Sequence, residues 1–449
     1  MSRLFCRSVV LSWGLSAGVW GFGVPAAHAQ VDYDSGPTAL QFNFSNPGAR
    51  SLALAGALTG AGDDATGAWT NPAGLTNITR PEIGVEFRAF DFSTGFVDGG
   101  RFNGTPTGFG ADTVGGLLFG TSSDRTRSLS FVSAVVPRSR IAFGAYRTQV
   151  VNFESTTSTS GAFFDDPVDG LSRAFPTDGG LRMTVANIGG SMAVRLTDRL
   201  SVGVGLSIYD LSLDAQSARY LVEGGSGLAP GGFFGSPLRT DDNIISTEFI
   251  GGDDHAFGVN LGVSFAPSER LRLGASYRPG PGFDLEFKRL DFAGDVVGDA
   301  DQVSTLQIPD VISIGALVKP LAPLNLTVDY RRVRYSQITS GLQTGFGGDP
   351  ADYVVDDGNE IRAAAEYLFT DLPAPFSALA LRGGAWYDPD HRIRYVGPFA
   401  TDTVLYPKGE DVVHVSAGAG VVFDKVQFDV GFDRSDLVTT FAVSAVLRF

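Results

Sequence analysis

Cysteine is all but missing from this chain: among 449 residues only Cys6 carries a thiol. It lies ahead of the apolar core of a leader expected to be cleaved, so the mature chain has no disulfides and no thiol chemistry. Its place before that core also rules out a lipoprotein attachment site. Histidine is scarce too, with four residues, and the mature chain carries no G-x-S-x-G, Walker A, H-E-x-x-H or C-x-x-C. The usual hydrolase, nucleotide and zinc constellations are therefore excluded, and no enzyme, cofactor or metal is expected. A Ser–His pair of the lipase kind, which needs no local motif, stays open. Basic residues are outnumbered, 34 Lys and Arg against 49 Asp and Glu, for a net charge of −15. Without Lys/Arg clusters to neutralise phosphates, no nucleic-acid partner is expected. Beyond the leader no stretch approaches the ~18 uninterrupted apolar residues of a spanning helix.

What is present begins with that leader, residues 1–29. Arg3 and Arg7 form a basic n-region, Val9 to Val24 an apolar core, and Ala27-His28-Ala29 a cleavage site before Gln30. The chain as a whole is rich in Gly (58 residues) and Phe (34). A secreted chain with no spanning helix and no disulfide has few routes to stability, and a closed β-barrel is one. Period-two alternation supports it. Glu82 to Phe90 sets Ile83, Val85 and Phe87 against Glu82, Glu86 and Arg88. Leu200 to Tyr209 sets Val202, Val204, Leu206 and Ile208 against Ser and Gly. Phe257 to Phe265, Leu271 to Arg278 and Val426 to Asp433 repeat the pattern. Charges on one face and apolar groups on the other fit a barrel with lipid outside better than a soluble sandwich.

Fourteen strands are expected, the first two near 82–90 and 128–137. Short joins such as Pro137-Arg138-Ser139, Thr197-Asp198-Arg199 and Asp424-Lys425 alternate with long loops such as 91–127, 154–180 and 220–254. Outer-membrane barrels pair short periplasmic turns with long external loops, which puts both termini in the periplasm. Three strands lose the pattern. In the strand from Leu324 the apolar set passes from Tyr330 to Val333 and Tyr335 across Arg331-Arg332, as a β-bulge would cause. The strand from Leu181 slips likewise near Asn187, and 139–153 alternates poorly. The closing strand carries Phe441, Val443, Ala445, Leu447 and Phe449 on one face.

One stretch does not read as strand: Gly48 to Leu75, rich in Gly and Ala and ending in Asn71-Pro72-Ala73-Gly74-Leu75. Gly56, Gly60 and Gly62 permit tight turns, Asp63 is placed to cap a helix from Asp64, and Asn71-Pro72 to stop it. So poor in large apolar groups, it would not fold alone. It is expected to lie in the lumen as a movable hatch or a fixed filler.

Gly48-Ala49-Arg50-Ser51, Asp63-Asp64-Ala65 and Asn71-Pro72-Ala73-Gly74-Leu75 resemble the FadL family of outer-membrane transporters. These carry long-chain fatty acids and other hydrophobic compounds. Weaker matches fall at Leu273 to Pro279 and Ile308 to Gly315. The resemblance implies an all-β fold: a fourteen-stranded antiparallel transmembrane β-barrel (81–449) with an N-terminal plug or hatch (30–80) in its lumen. It implies passive uptake, with ligand caught by external loops, held in an apolar pocket and released when the hatch shifts. In some members release is sideways, through an inward kink in the third strand, which here falls in 139–153. Asn71, Pro72, Ala73 and Gly74 would form the gate. Leu228, Phe233, Phe234, Leu238, Phe163 and Phe164 supply apolar loop surface, with Arg173 as a carboxylate contact. These aromatics either bind ligand or pack the loops over the mouth. The ligand would be a long-chain fatty acid or an aromatic or aliphatic hydrocarbon. Loop carboxylates such as Asp165, Asp166, Asp241 and Asp242 would not draw in a free carboxylate from afar, which keeps neutral ligands open. Asp388/Asp390/His391 and Asp253/Asp254/His255 read as solvated loop charges. Outer-membrane lipid and lipopolysaccharide would surround a monomeric barrel, and the barrel-assembly machinery would read its closing strand. A general diffusion porin and a surface adhesin or receptor remain the rival readings.

Overall fold

The computed structural model describes residues 46–449 apart from 167–169, 175, 225–233, 291–301, 342–348, 399–401 and 404–405. The leader and residues 30–45 of the expected plug lie outside the described residues, as do Leu228 and Phe233.

Fourteen antiparallel strands, each paired with its neighbour in sequence, close into a barrel. The first six are tall: Glu82–Arg101, Gly116–Arg138, Ile141–Thr159, Thr177–Arg195, Leu200–Tyr220 and Ile244–Ser268. The seventh, Leu271–Arg278, resumes as Gly282–Leu290 after Pro279-Gly280-Pro281. The eighth, Gln302–Gln307, resumes as Val311–Leu321 after Ile308-Pro309-Asp310. The breaks face each other, and the prolines there have no N–H to give the ladder. Six shorter strands follow: Leu324–Val333, Gly358–Phe369, Ala378–Asp388, Val412–Phe423, Val426–Arg434 and Val438–Arg448. The first pairs with the last, Glu82 opposite Arg448, so no edge is left open.

Several strands, the fourth, fifth and ninth among them, change their polarity along their length without changing phase. Near the short turns the outward face is apolar: Leu206, Ile208 and Phe257 are exposed, as are Ile188, Val328 and Phe428. Inward at that level are Glu86, Asn187, Ser201, Asn260, Asp329 and Glu360, all buried. Towards the long loops the faces exchange. On the fifth strand Asp210 and Asp214 point outward while Tyr209, Leu211 and Leu213 are buried inward. On the fourth, Arg182 is outward while Leu181, Met183 and Val185 are inward. A tilted strand crosses a bilayer in ~9–11 residues. Strands of 19 to 25 residues therefore project past the lipid, where water wets the outside and the apolar side chains turn in.

This exchange corrects the expected bulges. The ninth strand pairs without interruption from Leu324 to Val333 with the tenth, and the fourth is regular against the fifth across Asn187. Val333 and Tyr335 keep their phase and face a lumen that has become apolar. The same exchange erased the pattern in the upper halves of the first two strands. These run to Arg101 and from Gly116, so the loop expected at 91–127 shrinks to 102–115.

Candidate functional site

The residues between Asn46 and Ile78 are buried inside the ring of strands; only Arg50, Asp63, Asp64 and Asn77 are half-buried. Two short helices, Ala49–Ala53 and Gly67–Thr70, and a 3-10 turn, Pro72–Asn77, make up most of this segment. The second helix ends at Asn71, as expected, but Asp63 does not cap it. Arg50 donates instead to Asp63 at 2.5 Å and Asp64 at 2.9 Å, and Asp64 accepts from the Thr66 amide at 3.0 Å. Burial alone would raise Asp63, yet the Arg50 guanidinium beside it holds it below its ordinary value. Burial would lower Arg50, but Asp63, Glu366 and Asp64 together raise it well above its usual value.

The segment fits because glycines on the wall let backbone meet backbone. A Cβ on Gly203 would stand 2.4 Å from the Ala73 nitrogen, and one on Gly262 2.1 Å from Asn71 Oδ1. Asn71 Nδ2 donates to the carbonyls of Thr59 at 3.0 Å and Val263 at 3.1 Å, tying the segment to itself and to the sixth strand. Pro72, Ala73 and Gly74 are buried beside it. Of the four expected gate residues, Asn71, Pro72 and Ala73 meet the wall together, while Gly74 packs on Gly62 of the same segment.

Above the segment one apolar cluster runs without a break from Leu75 and Trp69 past Tyr146, Tyr209, Leu211, Phe283 and Leu285 to Tyr335. It continues into the long loops through Tyr353, Ile393, Tyr395 and Tyr406. Tyr353 lies 5.0 Å from both Tyr395 and Tyr406, ring to ring. The opposite wall is charged: Arg382 joins Glu366 to Asp429, and Arg362 pairs with Glu360. Asp433 accepts from Ser416 and from the Trp386 indole, with His414 Nδ1 2.6 Å away. The lumen is therefore apolar on one side and a closed ion-pair network on the other.

The wall has a seam. The second and third strands pair only from Phe131–Thr148 to Arg138–Ile141. A register shift after Gln149 leaves Val150 unpaired against the fourth strand, and Ser130 is likewise extra against the first. Two bulges therefore flank the point where the ladder stops. Beyond it the strands are joined by side chains: Thr126 donates to the Asn152 carbonyl at 3.2 Å and Arg147 to that of Leu129 at 2.8 Å. Phe92 of the first strand reaches past the second to Phe153, 5.2 Å away. The poor alternation of 139–153 has this bulge as its cause.

The loop residues form a separate group. Phe163 and Phe164 are buried, and Phe163 stacks on Phe234 at 5.9 Å. The Arg173 guanidinium lies 4.8 Å over Phe163 and donates to the carbonyls of Gly235 and Ser160. Burial pulls it down to about 10, opposed by Asp112, so it stays charged at neutral pH. Leu238 is half-buried, its amide on the Leu221 carbonyl at 2.9 Å. None of the four apolar residues among them, Phe163, Phe164, Phe234 and Leu238, joins the luminal cluster. His391 lies 3.5 Å from Asp388 and stacks on Tyr335, while His255 lies 3.3 Å from Asp210. The apolar luminal residues were missed in the sequence because their pattern reads as a phase slip. The apparent slips near Asn187 and at Val333 are the signal.

A closed fourteen-strand barrel with an apolar outer band and a chain-filled lumen defines a class of outer-membrane protein. The chain belongs to the outer membrane protein transport family OMPP1/FadL/TodX, whose pattern matches residues 35–440. The structure resembles that of a Pseudomonas aeruginosa FadL homologue, with a TM-score of 0.59 and 17% identity, covering 93% of this chain and 98% of that one. It also resembles the Ralstonia pickettii toluene transporter TbuX, with a TM-score of 0.54 and 17% identity over 91% of this chain and 100% of that one. The Pseudomonas putida toluene transporter TodX gives 0.54 and 13% identity over 91% and 99%. No curated protein sequence matches the chain.

Proposed function

We propose that this protein is a passive outer-membrane channel for long-chain fatty acids or other hydrophobic compounds. The unbroken apolar cluster from Tyr353, Tyr395 and Tyr406 down to Trp69 carries the reading. A greasy molecule needs such a path past the polar surface of the outer membrane, and an ion or sugar does not. The long loops would face the outside and both termini the periplasm, in keeping with short turns at one end and long loops at the other. Loop aromatics around Phe163 and Phe234 form the first contact, and the luminal cluster holds the ligand. Release follows movement of the segment around Asn71 or parting of the seam between Phe131 and Thr148.

The buried segment 46–78 and the ion pairs opposite argue against a general porin. Uptake of radiolabelled hexadecanoate and of toluene by cells making the protein, against cells lacking it, tests the reading. Faster entry of either is expected. Equal entry of both, together with a large steady conductance in planar bilayers, would show a porin. Equal entry with no conductance would favour a surface adhesin or receptor.

A further inference from the structure

Two imidazoles and two carboxylates meet where the loop 389–411 leaves the wall. Asp388 ends the eleventh strand, His414 stands on the twelfth and Asp433 on the thirteenth, while His391 belongs to the loop. All four are buried, Asp388 and His391 included, which in the sequence read as solvated loop charges. His414 Nδ1 lies 2.6 Å from Asp433 Oδ2 and so carries a hydrogen, which leaves Nε2 facing Asp388 Oδ2 at 3.8 Å. On the other side His391 Nδ1 lies 3.5 Å from Asp388 Oδ1 but 2.9 Å from the Pro389 carbonyl. Among the described residues Asp388 Oδ1 accepts no hydrogen bond, in spite of its burial.

The surroundings are short of positive charge. The ninth and tenth strands supply Arg331, Arg362 and Glu360, with Glu360 3.8 Å from Arg331 and 2.7 Å from Arg362. The loop supplies Arg392, held to Asp390 at 3.2 Å. Lys408, Glu410, Asp411 and Asp436 nearby are exposed to water. Inside, Asp388, Asp433, Glu360 and Asp390 outnumber Arg331, Arg362 and Arg392 unless an imidazole is charged. A buried carboxylate oxygen without a donor is costly, and a proton is the smallest remedy. A cavity of about 20 Å³ lined by Asp388, His391, Glu410 and His414 has room for a single water to deliver it.

The cluster sits at the foot of the cover of the lumen. His391 stacks on Tyr335 at 4.2 Å, and just beyond it Ile393 and Tyr395 enter the apolar cluster. Arg394–Tyr395 pairs with Tyr353–Val354, which clasps the loops 334–357 and 389–411 together. We propose that Asp388, His391 and His414 form a proton-operated latch, which holds residues 389–396 over the lumen in mild acid and frees them in mild alkali. This rests on the transport reading above and adds a control to it. The proton goes to an imidazole, the side chain that changes charge between about pH 5 and 8. On His414 Nε2 it is the donor that Asp388 Oδ2 lacks, and on His391 it places a cation beside Oδ1. In both cases charge binds the foot of the loop to the wall.

The test uses the full chain purified in detergent with Val396→Cys, the single thiol of the mature chain, carrying a nitroxide spin label. Val396 follows the clasp and 57% of its surface is exposed. From about pH 8 to 5 the ratio of immobile to mobile signal is expected to rise about tenfold, as a charge-assisted hydrogen bond allows. Added to this chain, Asp388→Asn and His391→Gln are expected to leave the label mobile at both pH values, with heat-modifiable migration unchanged. Toluene is neutral at every pH. Its entry is expected to be slower at the acid value in cells making wild type, and equal at both in cells making Asp388→Asn. A line shape that ignores pH without those substitutions overturns the latch and leaves the transport reading standing. A pH response kept in both variants assigns the cluster to packing and also overturns the latch. A line shape that responds while toluene enters no faster than in cells lacking the protein overturns the transport reading and the control together.

Discussion

Arg50 and Glu366 meet through two parallel hydrogen bonds, Nε to Oε2 at 3.0 Å and Nη2 to Oε1 at 3.0 Å. One residue belongs to the luminal segment and the other to the tenth strand. This fork is a directional tie between that segment and the wall, largely shielded from water. Arg382 and Asn325 hold the same carboxylate from the wall, at 2.7 and 2.9 Å, so Glu366 is in place whether or not Arg50 is.

Arg50→Met is expected to loosen the segment and spare the barrel. Losing one partner of a shielded pair costs about 3 kcal/mol. Limited proteolysis should then cut between residues 46 and 78 in the variant and not in wild type, with heat-modifiable migration unchanged. Equal resistance in both would mean that the fork does not hold the segment.

Acid should act through the same cluster. The Asp63 carboxyl is held below its ordinary value, with Arg50 outweighing burial. A group depressed in the folded state stabilises it above its unfolded pKa, and that contribution fades as pH falls through the folded value. Protease resistance of the segment is therefore expected to stay flat from pH 7 to about 4 and to fall only below that. Asp63→Asn should lack this step. A transition centred near pH 6 would contradict the assignment.

Asn71→Ala removes the bonds to Thr59 and Val263 at a site where Asn71 Oδ1 has no protein partner. A loss of about 1–3 kcal/mol in docking of the segment is expected. Gly262→Ala reaches the same place from the wall, since its Cβ would fall 2.1 Å from Asn71 Oδ1. Both variants should change hydrophobic uptake while the barrel folds normally. Unchanged uptake in both would make the segment a filler.

Val150 is the extra residue at the seam. Deleting it should let the third strand pair regularly and extend its ladder with the second strand. If ligand leaves sideways there, uptake drops several-fold although equilibrium binding is kept. Normal uptake in the deletion variant would direct release past the segment instead.

Period-two alternation in Leu200–Ile208, Phe257–Phe265 and Val426–Phe432 was legible because lipid outside and polar lumen inside impose opposite demands on successive residues. So were the count of fourteen and the non-strand character of Gly48–Leu75, whose small residues cannot build a core of their own. Alternation says that two faces differ but not which faces inward. Where the strands rise past the lipid the meaning of the faces reverses, so the alternation looks broken near Asn187 and at Val333 and Tyr335 although these positions hold their phase. The pairing of Arg50 with Glu366, 316 positions apart, and the placement of Arg278 over Trp69 depend on which strands face one another across a closed ring. Sequence determined the barrel and its non-strand segment through local periodicity and residue size. Only the tertiary structure decided which charges meet, because that is set by distance across the lumen and not along the chain.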